Sequence, residues 1–369
     1  MTSVLMFPML PEKNASSRVV CYQYKRYLED LGVRVEISPP SSTRLYEVFE
    51  EVTQEPDPSQ AKWRLFLLRI ARKLMHDFYW NILVLPKRLV DLRKCQNYDV
   101  IFIQRMMFKY GSLPFLERLV RWLNPRIIYS FDDAIYLRLP HQTAQRIALA
   151  KAVMTGREIL AAFARQYNDN VAIIESAVDT QNYYRTRSSY AANGPVVIGW
   201  AGNPRNLSSL YLIEDALGQL AERGEDFILR VICSEPPHFS DKQILVEFVE
   251  WSLEREVDNL LALDIGIMPI PGDEYARGKE GYKIKQYMAC GLPVVCSPIG
   301  KNAELVQPNE TGFWATSQAE WVDALSLLIR SGALREQFGK AGRAFIKDHY
   351  DVRQAAIKYQ KLIQQVAAM

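Results

Sequence analysis

Short apolar runs alternate with helix-patterned stretches along most of this chain, and that alternation restricts it to folds built on parallel sheets. Val4-Leu5-Met6-Phe7 is an apolar run suited to a strand buried on both faces. Val19 to Leu31 follows, with Val20, Tyr24, Tyr27, Leu28 and Leu31 on one helical stripe; Gly32 stops it and Val33 to Ile37 predicts a second strand. The unit recurs as strand Tyr98 to Ile103, helix Leu113 to Leu123 and strand Arg126 to Phe131. It returns as strand Ala152 to Met154, helix Glu158 to Tyr167 and strand Val171 to Ile174.

Around Arg185 to Pro195 the sequence turns polar and ends in Asn-Gly-Pro, which marks a linker. A second set then begins with strand Val196 to Gly199, helix Leu210 to Arg223 and strand Phe227 to Cys233. Asp264 to Met268 and Pro293 to Cys296 predict further buried strands, with a helix at Tyr282 to Ala289 stopped by Gly291 and Pro293. The expected division is an N-terminal Rossmann-like domain over 1–190, a second over 191–350, and a helix over 351–369 crossing back to the first. At 369 residues the chain exceeds what one core usually supports, which agrees with two domains.

A net charge of only +3 speaks against a nucleic-acid binder. Five scattered cysteines without a C-x-x-C pair, and four histidines, give no metal-ligand pattern and predict free thiols. Met1 to Leu10 lacks a basic start and is broken by Pro8, unlike a signal peptide, and no apolar run reaches membrane-spanning length. A cytoplasmic protein is the expectation.

The densest chemistry lies at 278–297. Gly278 and Gly281 lead into a helix start with Lys279 and Lys283 beside it. Free backbone N–H groups, the helix dipole and two ammonium groups suit a diphosphate; an amphipathic helix with a solvated lysine face is the plainer alternative. Gln286, one turn on, is placed to bond a ribose hydroxyl.

Gln286-Tyr-Met-Ala-Cys-Gly-Leu-Pro-Val-Val-Cys-Ser297, followed by Gly300, Glu304 and Asn309-Glu-Thr-Gly-Phe313, resembles the donor-binding signature of glycosyltransferase family 4. Asp264 to Pro269 and Val197-Ile-Gly-Trp-Ala-Gly202 resemble its flanking strands, and Ala152 to Arg157 with Ile174 to Asp179 resembles the end of its acceptor domain. The resemblance implies an α/β GT-B architecture, two Rossmann-like domains facing across a cleft. It also implies a retaining transferase that moves a sugar from a nucleotide-sugar to a glycan or lipid-linked acceptor, with no metal or other cofactor.

The pattern departs from that family in its details and looks like a divergent branch with Lys-x-Gly-Tyr-Lys before Gln-Tyr-Met-Ala-Cys-Gly. The usual Glu-x7-Glu pair is replaced by Gly278 and Gln286, with Glu280 out of register. Where relatives carry an Arg and a Lys after the first donor strand, this chain has Asn203 and Ser209, with Arg205 the nearest cation. Donor contacts are therefore expected from Gly202, Asn203, Arg205, Lys279, Gly281, Tyr282, Lys283, Gln286 and Glu304, with Lys283 also steadying the leaving group.

In the first domain, Ser17 and Arg18 follow the first strand, and Arg105, Asp132 and Asp133 end two later ones, where such sheets place functional groups. These are the acceptor-side candidates, Asp133 the catalytic one; Ser16 and Ser17 also suit a helix cap, and Arg18 a phosphate contact. His141 reads as a surface residue. Residues 62–94 interleave Lys62, Arg64, Arg69, Arg72, Lys73, Lys87, Arg88, Arg93 and Lys94 with Trp63, Phe66, Leu67, Leu68, Phe78, Tyr79 and Trp80. That mixture fits two helices covering the first sheet, and also contact with an anionic membrane surface. An epimerase or phosphorylase on the same scaffold, or a partner-binding homologue without activity, are the rival readings.

Overall fold

The computed structural model describes residues 1–53, 62–109, 114–187, 189–190 and 194–369, with the side chains of Lys62 and Leu65 left aside. Leu113, the expected start of a helix, and Asn193 of the expected linker lie outside the described residues. The chain divides into two compact units, Met1–Ile174 with Ala356–Met369, and Glu175–Ala355. Residues 175–190, expected in the first domain, thus fold with the second unit.

The first unit is a parallel sheet of β1 (Ser3–Phe7), β2 (Arg34–Ile37), β3 (Val100–Gln104), β4 (Ile127–Phe131), β5 (Ala152–Thr155) and β6 (Val171–Ile173), in the order β2-β1-β3-β4-β5-β6. β1, β3, β4 and β5 are buried at every residue, because helices cover both faces of a parallel sheet. The single helix expected over Val19 to Leu31 is instead a short turn Ala15–Ser17, a π-helical segment Arg18–Tyr22 and a helix Tyr24–Asp30. Asn14, not a serine, caps it by accepting from the Ser17 N–H at 3.2 Å.

The second unit is another parallel sheet, β7 (Val196–Ala201), β8 (Phe227–Cys233), β9 (Val246–Glu250), β10 (Ile265–Met268), β11 (Val294–Cys296) and β12 (Gly312–Trp314), in the order β12-β11-β10-β7-β8-β9. In both sheets the strand order reverses beside the first strand, between β1 and β3 and between β7 and β10. Such reversals open a crevice at the carboxyl ends of the strands, where ligands bind.

The closing helix, Val352–Ala367, runs from the second unit into the first. There Tyr359 stacks on Tyr24, with centroids 4.2 Å apart, and donates to the Val20 carbonyl at 3.1 Å. All five cysteines are buried free thiols. Among the described residues no helix is long and apolar enough to cross a membrane.

The basic stretch divides in two. Tyr79, Trp80 and Arg88 are core residues, so Arg88 is not part of a surface patch. Its guanidinium donates to the carbonyls of Pro8 (2.5 Å), Ser38 (2.7 Å) and Met107 (3.3 Å), tying the chain where it leaves β1, β2 and β3. Burial lowers its pKa to about 10, and the Phe7 ring lies under it at 5.3 Å. Replacing it with Leu strands three buried carbonyls. Arg88→Leu is expected to lose about 3 kcal/mol in urea unfolding; a loss below about 1 kcal/mol would contradict the strut role.

Candidate functional site

The helix Tyr282–Ala289 is the centre of the second unit's site. Tyr287 packs its ring over β10 at Gly266, and its hydroxyl accepts from the Ala201 N–H at 2.8 Å, so the helix is seated across β10 and the end of β7. Gly281 holds the N-cap position at φ 64°, in the left-handed region, with the Leu305 side chain 2.7 Å from where a Cβ would stand. No side chain caps this helix start.

Seated this way, the helix directs Lys283 over the loop after β7. Its Nζ lies 4.7 Å from the Trp200 ring centroid. A Cβ on Gly202 would come within 2.8 Å of it, so glycine there leaves the amine its room. Lys279 reaches the same loop, donating to Asn206 Oδ1 at 3.0 Å. Among the described residues no carboxylate stands within ion-pair distance of Lys283. Burial first, then the Lys279 charge, pulls its pKa from the usual 10.5 to about 7. Lys283, with no carboxylate partner among the described residues and a second amine beside it, makes a place for an anion.

The other expected donor residues fall into different surroundings. Asn203 caps the turn Pro204–Asn206, accepting from the Arg205 N–H at 3.1 Å, and the Arg205 side chain is exposed. Tyr282 is half-buried at the helix start. Gln286, expected at a ribose, is buried and its amide donates to the Tyr184 hydroxyl at 2.7 Å. That phenol in turn donates to Glu256 at 3.2 Å, so the amide N–H is engaged inside the protein. Glu280 accepts from the Ser176 N–H at 2.8 Å, holding the segment that opens this unit. Glu304 accepts from Lys301 at 2.7 Å, and Lys301 also bonds Glu175 at 2.7 Å. The roles of Trp200 and Asn206 escaped sequence reasoning; the available signal was Gly-Trp-Ala-Gly at the strand end.

The first unit gathers most of its candidates at the carboxyl ends of β1, β3 and β4. Arg105, with a positive φ of 57° rare for a side chain of this kind, donates from Nε to Asp132 at 2.7 Å and from its terminal nitrogen to Asp133. Ser16 donates to the second Asp132 oxygen at 2.6 Å and receives from Gln104 at 2.8 Å. Ser17 donates to Gln104 at 2.9 Å. Burial alone would raise the Asp132 pKa, but Arg105 and then Ser16 hold it below the usual carboxylate range. Arg18 turns away from this group, donating to the Lys13 carbonyl at 3.2 Å rather than standing open to a phosphate. His141 is exposed on the helix Pro140–Leu149.

Two parallel sheets of this order, each with its polar cluster at the strand ends, define the GT-B fold. The crystal structure of HepE from Anabaena in complex with UDP and glucose matches with a TM-score of 0.68 at 13% identity, over 99% of this chain and 100% of that one. Sucrose-phosphate synthase from Thermosynechococcus elongatus matches at 0.62 and 14% identity, over 100% of both chains. TarM matches at 0.65 and 11% identity, over 98% of this chain and 99% of that one. No curated protein matches by sequence. Residues 195–331 match the family model described as glycosyl transferases group 1. Residues 195–331 thus match a glycosyl transferases group 1 domain, and the chain has a GT-B fold.

The Arg105 cluster makes a paired prediction. Arg105→Ala should lose about 2 kcal/mol in urea unfolding, because it leaves two adjacent carboxylates without their cation. Arg105→Gly should recover about 1 kcal/mol of that, since glycine accepts the positive φ. Equal losses would show that the backbone there is unstrained.

Proposed function

We propose that the chain is a retaining, metal-independent transferase using a uridine diphosphate sugar. The observation that carries this reading is Lys283, an uncompensated amine beside Lys279 at the β7 switch point. The UDP complexes of a structural neighbour support the choice of nucleotide. The family 4 signature supports retention of anomeric configuration.

In this reading the diphosphate lies against Lys279, Lys283 and the uncapped start of the Tyr282–Ala289 helix, with Arg205 free to swing onto it. As the bond from the anomeric carbon to the diphosphate oxygen breaks, charge gathers on the leaving group and the two lysines meet it. Stabilisation of this kind is the largest single term in many enzymes and here needs no metal. The acceptor oxygen bonds the anomeric carbon and its proton leaves with the diphosphate. Asp132, held ionised by Arg105, and Asp133 beside it take acceptor or sugar hydroxyls, with Ser17 nearby. The acceptor is a glycan or a lipid-linked sugar, and the exposed Lys62–Phe78 part of the 62–94 stretch brings the protein to the inner face of the membrane.

Donor hydrolysis tests this without knowledge of the acceptor. UDP-glucose alone should yield UDP and glucose whose first-formed anomer, by proton NMR, is α, with a rate unchanged by EDTA. Lys283→Ala should slow it by about 100-fold. The β anomer first, loss of the reaction in EDTA, or an unchanged Lys283→Ala rate would each contradict the proposal.

A further inference from the structure

The helix Lys62–Phe78 is amphipathic in the wrong sense for a helix that covers a sheet. At about 100° per residue, Phe66, Ile70, Trp63, Leu74, Leu67 and Phe78 fall in one arc of about 120°. All six are exposed, Trp63 at 68%, Phe66 and Leu74 at 63%. The side turned to the protein is instead the one carrying Arg72, Met75 and His76, each partly covered. His76 packs against Phe49 at 5.6 Å and bonds Lys109 at 2.8 Å. The apolar face therefore points away from the fold. An exposed apolar stripe of this extent signals an interaction surface.

Its borders identify the partner. Lys73 and Arg64 fall on the two edges of the apolar arc, and both are exposed. Arg69 is exposed a little further round. The helix has one acidic residue, Asp77, half-buried near its end on the same arc, against the exposed cations Arg64, Arg69 and Lys73. A two-fold pairing of this face with itself would bring cations against cations. A bilayer surface with anionic headgroups accepts both parts: apolar side chains at the acyl boundary, ammonium and guanidinium groups among the phosphates, and a tryptophan at the interface.

We infer that the Lys62–Phe78 helix lies in the plane of an anionic bilayer, with Phe66, Ile70, Trp63, Leu74, Leu67 and Phe78 inserted and Arg64 and Lys73 at the headgroups. This rests on the membrane part of the reading above and specifies the surface and the lipid chemistry. Arg88, Tyr79 and Trp80 take no part in it, since they are buried in the first unit.

Sedimentation of the full chain with vesicles tests the assignment. It should pellet with phosphatidylcholine–phosphatidylglycerol vesicles at low salt, far less at high salt, and little with phosphatidylcholine alone. The double change Phe66→Ser, Leu74→Ser should weaken that partitioning at least about tenfold. Because both side chains are exposed, it should leave the Tm and calorimetric UDP binding as they are. Arg64→Glu with Lys73→Glu should abolish the preference for phosphatidylglycerol. Failure to pellet with anionic vesicles, or a double-serine variant pelleting like the parent, would overturn the inference. So would a parent dimer that the same variant turns into a monomer, which would give the face to a second copy. UDP binding is read separately, so a failure here leaves the donor reading standing, and the converse holds.

Discussion

The proposed donor site depends on how Tyr287 seats one helix. Its ring lies against Gly266 of β10 and its hydroxyl takes the Ala201 N–H at the end of β7, so a single side chain spans the point where the second sheet reverses its order. From that seat the first turn of the helix can only present Lys283 above Gly202 and the Trp200 ring. A shift of the tyrosine would carry the amine away from the loop. The packing of a core residue and the position of a charged one are thus a single constraint.

Lys283 is held where its charge is poorly solvated and has no carboxylate partner, which lowers its pKa to about 7. A poorly solvated amine at that value favours its neutral form above pH 7, so this group costs stability as pH falls from its unfolded value toward 7. An anionic ligand reverses the preference by supplying the missing counter-charge. The first unit solves the opposite problem. Its carboxylates Asp132 and Asp133 are given a cation in Arg105, on a backbone of positive φ. One cluster pairs its charges; in the other, Lys283 has no carboxylate partner among the described residues.

Much of this was legible in the sequence. The apolar runs and glycine stops placed ten of the twelve strands among the described residues, and the Tyr282 to Ala289 helix falls where expected. β9 was missed because it is an edge strand, Val246-Glu-Phe-Val-Glu250, with no buried residue and two glutamates interrupting its apolar run. β12 was read only as part of a motif. The bond from Gln286 to Tyr184 was not legible, because the partner lies 102 residues away and only the folded unit brings them together. Arg88 looked like one more surface cation, yet three carbonyls draw it inside. The mixture of basic and aromatic residues at 62–94 fitted both sheet cover and membrane contact, and composition could not say which side chains face outward.

The central claim, that Lys283 receives the donor diphosphate, is tested most directly by titration calorimetry of UDP at pH 8 in buffers of different ionisation enthalpy. Because the amine is largely neutral there and must charge to meet the anion, binding should take up close to one proton, and Lys283→Arg should bind UDP without that uptake. Binding of UDP with no proton uptake, or the same uptake in Lys283→Arg, would contradict the account.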